Sequence, residues 1–184
     1  VYEPDSATTH WTPTGKKRNI DAEAFYQAYL QEQSLTADAQ AFYLGYYAHL
    51  LTDVQWIRKM LQPLKQKIGM AHFTGTPYDA MLRQNLTYLE QAYCRETASF
   101  PAWEQVQKTK TFPNRYLPYY REDTLTEKLE ELRQRYAKSV EKPTEFLVTA
   151  AELNAFIEQT VLQITEIFEE KGCIPSQAGK EEWK

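Results

Sequence analysis

The apolar positions of this chain recur every three or four residues over most of its length, which is the spacing of an amphipathic helix. No stretch alternates apolar and polar residues for long enough to predict a sheet. The predicted helices cover about 19–33, 36–61, 76 onwards, 103–108, 124–140 and 149–172. We therefore expect an all-α fold, a single-domain multi-helix bundle over 1–184 around a buried central helix, with a frayed tail at 174–184.

Threonine residues mark the starts of three of these helices. A threonine side chain can cap free backbone N–H groups, and an acidic residue three positions later can cap in return. The predicted pairs are Thr76 with Asp79, Thr124 with Glu127 and Thr149 with Glu152. Gly172 follows the last helix at a position where glycine often ends one.

The segment from Thr36 to about Leu61 is apolar on two of its sides. One stripe consists of Phe42, Tyr46, His49, Asp53, Trp56 and Met60, and the other of Tyr43, Tyr47, Leu50, Val54, Ile57 and Leu61. A helix that is apolar on both sides is packed by neighbours all round, so we expect both stripes to be buried. Gly45 lies in mid-helix, where glycine costs about 1 kcal/mol relative to alanine, and it predicts the close approach of another element.

His49 and Asp53 are the polar members of the first stripe, and a buried carboxylate needs a partner. Residues four apart on a helix point the same way, so the imidazole and the carboxylate can converge on one metal ion. The alternative is a satisfied core pair, with His49 bonded to Asp53 or to a tyrosine hydroxyl. Tyr43, Tyr46 and Tyr47 are placed to line the pocket.

Composition narrows the function classes only slightly. The net charge of −4 and the pI near 5.5 argue against a nucleic-acid or anionic-membrane binder, and no apolar run approaches the roughly 20 residues of a membrane span.

Cys94 and Cys173 follow no metal spacing and indicate free thiols. No signal peptide is visible, which favours a cytoplasmic location, and the start at Val1 leads us to expect a missing N-terminal segment that supplies further ligands.

The central helix resembles a signature of bacterial zinc-dependent phospholipase C-family proteins in the segments 42–46 (Phe-Tyr-Leu-Gly-Tyr) and 49–53 (His-Leu-Leu-Thr-Asp) and at Trp56. These proteins are relatives of zinc phospholipase C and of the single-strand-specific zinc nucleases. The resemblance implies the all-helical fold of the phospholipase C/nuclease type and a site for up to three zinc ions. It also implies that His49 is a terminal ligand and that Asp53 bridges two metals and lies deepest in the site.

The same family places a histidine ligand in an earlier loop, and the segment 8–11 (Thr-Thr-His-Trp) fits that position, so the resemblance implies that His10 is a ligand. Weaker candidates are His72 and Asp79, for which the alternatives are a loop histidine and a capping carboxylate. Asp5 is a poor match to the family's early carboxylate. The family's N-terminal histidine and its later His-x-x-x-Glu have no counterpart here, so we expect fewer than three zinc ions.

The resemblance implies a metal-dependent hydrolase that acts on a phosphoric ester, with His49 and Asp53 as catalytic residues and zinc as cofactor. The expected partner is a small phosphoester substrate, and we expect neither a stable nucleic-acid complex nor a transmembrane segment. The alternative is a helical binding or structural module that keeps a degenerate metal site.

Overall fold

The computed structural model describes residues 4–15, 19–31, 34–70, 72–97 and 100–175. Within these ranges the regular elements are helices and no β-strand occurs, which confirms the all-α prediction. The helices are α1 (Ser6–Thr9), α2 (Ala22–Tyr29), α3 (Ala37–Trp56), α4 (Gln62–Lys67), α5 (Pro77–Glu96), α6 (Pro101–Lys108), α7 (Thr124–Ala137) and α8 (Ala150–Glu170). No helix in the described ranges has both the length and the apolar character that a membrane crossing needs.

The described chain divides into two compact units. The first unit contains residues 4–64 and 153–175, and the second contains residues 65–152. Each unit has buried side chains of its own, which include Phe25, Tyr47 and Leu50 in the first and Leu82, Asn85 and Leu117 in the second. The single domain over 1–184 stays a prediction, and the predicted tail lies outside the described residues except for Ile174 and Pro175.

Two of the three predicted capping pairs form. The Thr76 hydroxyl accepts a hydrogen bond from the Asp79 N–H at 3.4 Å, where α5 begins. At the start of α8, the Thr149 hydroxyl accepts from the Glu152 N–H at 3.2 Å, and the Glu152 carboxylate accepts from the Thr149 N–H at 2.8 Å. These helix starts therefore follow from local sequence alone.

The predicted Thr36 cap also forms, since its hydroxyl accepts from the Ala39 N–H at 3.3 Å where α3 begins. The starts predicted at Asn19 and Thr124 are wrong in detail, because other side chains compete for the capping groups. No side chain caps the start of α7 at Thr124, since the Glu127 carboxylate accepts a 2.9 Å hydrogen bond from Arg121 instead. Helix α2 begins after Asp21, whose carboxylate accepts from a backbone N–H of its first turn. The predicted cap, Asn19, donates to a threonine hydroxyl before the helix.

Helix α3 does not run unbroken to Leu61, because a π-helical turn covers Ile57–Leu61. Pro63 explains the change, since it has no N–H to bond the carbonyl four residues earlier and its ring would clash with that carbonyl. In the widened turn the Gln62 N–H instead bonds the Ile57 carbonyl, five residues back.

Aromatic rings form the core of the first unit, with Phe25 of α2 at their centre. Phe25 is fully buried, and its ring lies 5.5 Å from that of Trp11 and 4.9 Å from that of Tyr46. The rings of Tyr29 and Tyr43 complete the cluster, at 5.0 and 6.4 Å from Phe25. Because Trp11 precedes α2 and Tyr46 lies on α3, this cluster joins three parts of the chain.

The second predicted stripe is buried in its first half, at Tyr43, Tyr47 and Leu50, whereas Val54, Ile57 and Leu61 are half-buried. The stripe that contains His49 and Asp53 is not buried, so the prediction that both stripes are buried is wrong: its members are half-buried, and His49 is exposed. The buried stripe packs on rings of α2 and α8, whereas the segment next to His10 covers the other stripe only in part.

Gly45 lies on an open side of α3, and the predicted close approach of another element is wrong. A Cβ atom at this exposed position would meet nothing within 4 Å in the described structure. The glycine therefore has no packing role here that would offset its entropic cost in a helix.

We predict that Gly45→Ala raises the free energy of unfolding by about 0.5–1 kcal/mol, because alanine loses less conformational freedom when the helix forms. Urea denaturation measures the change. Gly172→Ala is the matched control: Gly172 has a φ of +68°, which strains alanine, so this variant should be less stable than wild type. A destabilised Gly45→Ala variant would contradict the open position of Gly45.

Candidate metal centre

His10 directly follows the single turn of α1, and the two ends of that turn set its position. At the start, the Asp5 carboxylate accepts from the Thr8 N–H at 2.8 Å, a bond that lowers the pKa of Asp5. At the end, the N–H groups of Trp11 and Thr12 bond carbonyls inside α1, which is the pattern of a Schellman motif. Asp5 thus acts as a helix cap, and His10 is held by a closed turn rather than a loose loop.

His49 and Asp53 lie one turn apart on the same side of α3. His49 is exposed, whereas the side chains of His10 and Asp53 are 17% and 28% exposed. The expectation that Asp53 lies deepest is therefore wrong. Because its stripe of α3 is only partly covered, the carboxylate stays in reach of water, and the histidine of the covering segment is the more buried residue.

The structure brings these three side chains together. The Nε2 atom of His10 lies 3.4 Å from Oδ2 of Asp53, and the rings of His10 and His49 are 5.6 Å apart. One ligand atom from each residue lies within 4.8 Å of the others. Among the residues that the structure describes, these three form the group of side chains that could hold a metal ion.

The donor atoms suit a zinc ion, and so does the distance between His10 and Asp53. Imidazole nitrogen and carboxylate oxygen bind zinc at about 2.0–2.2 Å, so two ligands of a tetrahedral ion are roughly 3.4 Å apart. His10 and Asp53 show this separation, which is longer than the about 2.7–3.2 Å of an N–H···O hydrogen bond. The His49 ring is exposed and can turn toward the ion without disturbing the core.

The hydroxyl groups of two residues lie at His10 or at the residue before it. The Thr9 hydroxyl lies 2.9 Å from Nδ1 of His10, and the Tyr46 hydroxyl donates a 2.6 Å hydrogen bond to the Thr9 carbonyl. Sequence reasoning used Thr9 only as part of the segment that resembles the family's histidine loop, and it gave the hydroxyl no role of its own. It placed Tyr46 at the site, where the ring lies 6.0 Å from that of His49.

Tyr43 and Tyr47 do not line the site, contrary to the prediction. They lie on the buried stripe, where Tyr43 stacks on Tyr29 at 4.8 Å and Tyr47 stacks on Phe168 at 5.8 Å. Burial raises the pKa of the Tyr47 hydroxyl. Both rings therefore belong to the core rather than to a substrate pocket.

His72 and Asp79 belong to the second unit, and neither is part of the group around His49. His72 is exposed. The Asp79 carboxylate accepts from the Arg83 guanidinium at 3.1 Å and from the Gly75 N–H at 3.0 Å, and the bond from Arg83 lowers the pKa of Asp79. The capping alternative thus accounts for Asp79.

The two cysteines, Cys94 and Cys173, are free and half-buried, as the sequence indicates. Burial raises the pKa of both thiols. Zinc binds the thiolate form of cysteine, and a raised pKa disfavours that form. Neither cysteine is therefore set up as a zinc ligand.

A search of protein-family models, of functionally characterised proteins and of solved structures found no match to this chain. We therefore infer the function from the geometry of the site and from the chemistry of its side chains.

We predict that the chain binds one zinc ion through His10, His49 and Asp53. His49→Ala and Asp53→Asn should each weaken zinc binding at least about 100-fold, because each change removes one of three protein ligands. Competition with a chromogenic chelator measures the affinity. Free zinc at about 100 times its Kd should also raise the free energy of unfolding by ~2.7 kcal/mol.

His72→Ala is the matched control for that experiment, because it removes an exposed histidine of the second unit. Its zinc affinity should equal that of the wild type. If His49→Ala and His72→Ala reduce the affinity equally, the ion does not bind where we place it.

Proposed function

We propose that this chain is a zinc-dependent hydrolase that acts on phosphoric esters. The observation that carries the proposal is the convergence of His10, His49 and Asp53, three residues from two parts of the chain, on one small region. Three protein ligands leave a position of a tetrahedral ion open, which is typical of catalytic rather than structural zinc sites. The exposure of His49 supports the same reading, because substrate and water can reach the site.

Each side chain would have a defined part in this chemistry. His10 offers Nε2 and Asp53 offers Oδ2, which face each other at 3.4 Å, and His49 offers a ring nitrogen within 4.8 Å of them. The second oxygen of Asp53, Oδ1, can accept a proton from an attacking water molecule. When bound, a zinc ion supplies Lewis acidity, which lowers the pKa of water and polarises a phosphoryl oxygen.

The substrate class comes from the resemblance of segments 42–46 and 49–53 to zinc-dependent phospholipase C-family proteins. Two features of the structure are consistent with that resemblance. The fold is all-helical, and the segment next to His10 lies against the helix that carries His49 and Asp53.

We predict that the zinc-loaded protein hydrolyses bis(4-nitrophenyl) phosphate and that a chelator abolishes the reaction. Asp53→Asn should lower the rate by on the order of 100-fold or more, because it removes both a ligand and a proton acceptor. Release of 4-nitrophenolate measures the rate. Gly45→Ala serves as a control on the same helix and should keep the wild-type rate.

Zinc binding without hydrolysis, or an equal rate in Asp53→Asn, would contradict the proposed activity. A protein that binds no zinc would support the alternative, a helical binding or structural module in which His10 and Asp53 form only an ion pair.

A further inference from the structure

The hydroxyl group of Tyr46 ties the end of α1 to helix α3. It donates a 2.6 Å hydrogen bond to the carbonyl of Thr9, the residue directly before His10. The Tyr46 ring stacks at 4.9 Å on the ring of Phe25, which is fully buried, so its hydroxyl has little freedom to move away. The bond therefore sets where His10 lies relative to His49, one turn further along α3.

The hydroxyl group of Thr9 acts on the ring of His10 itself. It lies 2.9 Å from Nδ1, and the opposite ring nitrogen, Nε2, faces the Asp53 carboxylate. In metal sites, the hydrogen bond at one imidazole nitrogen fixes the tautomer and the orientation of the other. In the tautomer that carries its proton on Nδ1, this nitrogen donates to the Thr9 hydroxyl and the lone pair of Nε2 faces Asp53.

The residue on the other side of His10 is also held by packing. Trp11 has a φ of +50°, in the left-handed region that a bulky residue rarely occupies. Its ring contacts Phe25 at 5.5 Å and Tyr29 at 5.9 Å. This is the conformation that the Schellman motif at the end of α1 requires, and the ring contacts help to hold it.

We infer that Tyr46 and Thr9 are positioning residues that prepare His10 for metal binding. Tyr46 sets the place of His10, and the Thr9 hydroxyl at Nδ1 orients the ring so that Nε2 faces Asp53. This inference rests on the proposed function, because it describes how the same site is held ready. A hydrogen bond that only stabilised the fold would affect unfolding and leave zinc affinity unchanged.

The experiment compares Tyr46→Phe, Thr9→Val and Thr9→Ser in zinc affinity and in the ¹⁵N NMR signals of the His10 ring at one fixed pH. Tyr46→Phe and Thr9→Val should each weaken zinc binding roughly 10- to 100-fold, the range for outer partners of metal-binding histidines. Thr9→Ser keeps the hydroxyl and should restore wild-type affinity. Tyr26→Phe is the matched control, because its hydroxyl also donates to a backbone carbonyl of the first unit, that of Lys171.

Wild-type zinc affinity in both Tyr46→Phe and Thr9→Val would overturn the inference, as would an equal loss in Tyr26→Phe. If the wild-type protein itself binds no zinc, the proposed function fails. The inference is then tested only by the ¹⁵N NMR signals of the His10 ring. Altered His10 signals in Tyr46→Phe and Thr9→Val would then support the positioning of His10, and unchanged signals would overturn it.

Discussion

The contact of the Phe25 ring with Trp11 on one side and Tyr46 on the other is the interaction on which the candidate site depends. A helix places His49 and Asp53 on one side without any help from the rest of the fold. His10 comes from a distant part of the chain, and only tertiary packing can bring it to them. The buried Phe25 ring supplies that packing, because it contacts Trp11 next to His10 and Tyr46 on the helix that carries the other two candidate ligands.

The helices, the helix caps at Thr76 and Thr149 and the shared side of His49 and Asp53 could be predicted because each depends on residues close together in sequence. Which stripe of α3 is buried could not, because that depends on the neighbours that the fold brings to each side. Tyrosine adds to the difficulty, since its ring suits a core and its hydroxyl suits a partly open surface. Tyr47 is buried and Tyr46 is half-buried, although both lie in apolar stripes of one helix. The place of His10 followed from a resemblance, and the contacts of Thr9 and Tyr46 required the structure.

The distance between His10 and Asp53 is the feature of the site that most supports the proposed metal ion. At 3.4 Å, Nε2 and Oδ2 are too far apart for a strong hydrogen bond and well spaced for a shared ion. The side chains of His10 and Asp53 are 17% and 28% exposed, so water can reach the pair and it is not a fully buried salt bridge. Both observations support the proposed cation site.

Anomalous diffraction at the zinc absorption edge, from crystals grown with zinc, tests this account most directly. The account predicts a peak about 2.0–2.2 Å from a nitrogen of His10, a nitrogen of His49 and an oxygen of Asp53. In the same crystals, Nδ1 of His10 should still face the Thr9 hydroxyl. A direct hydrogen bond between His10 and Asp53 with no zinc peak between them, or a peak at His72 instead, would contradict it.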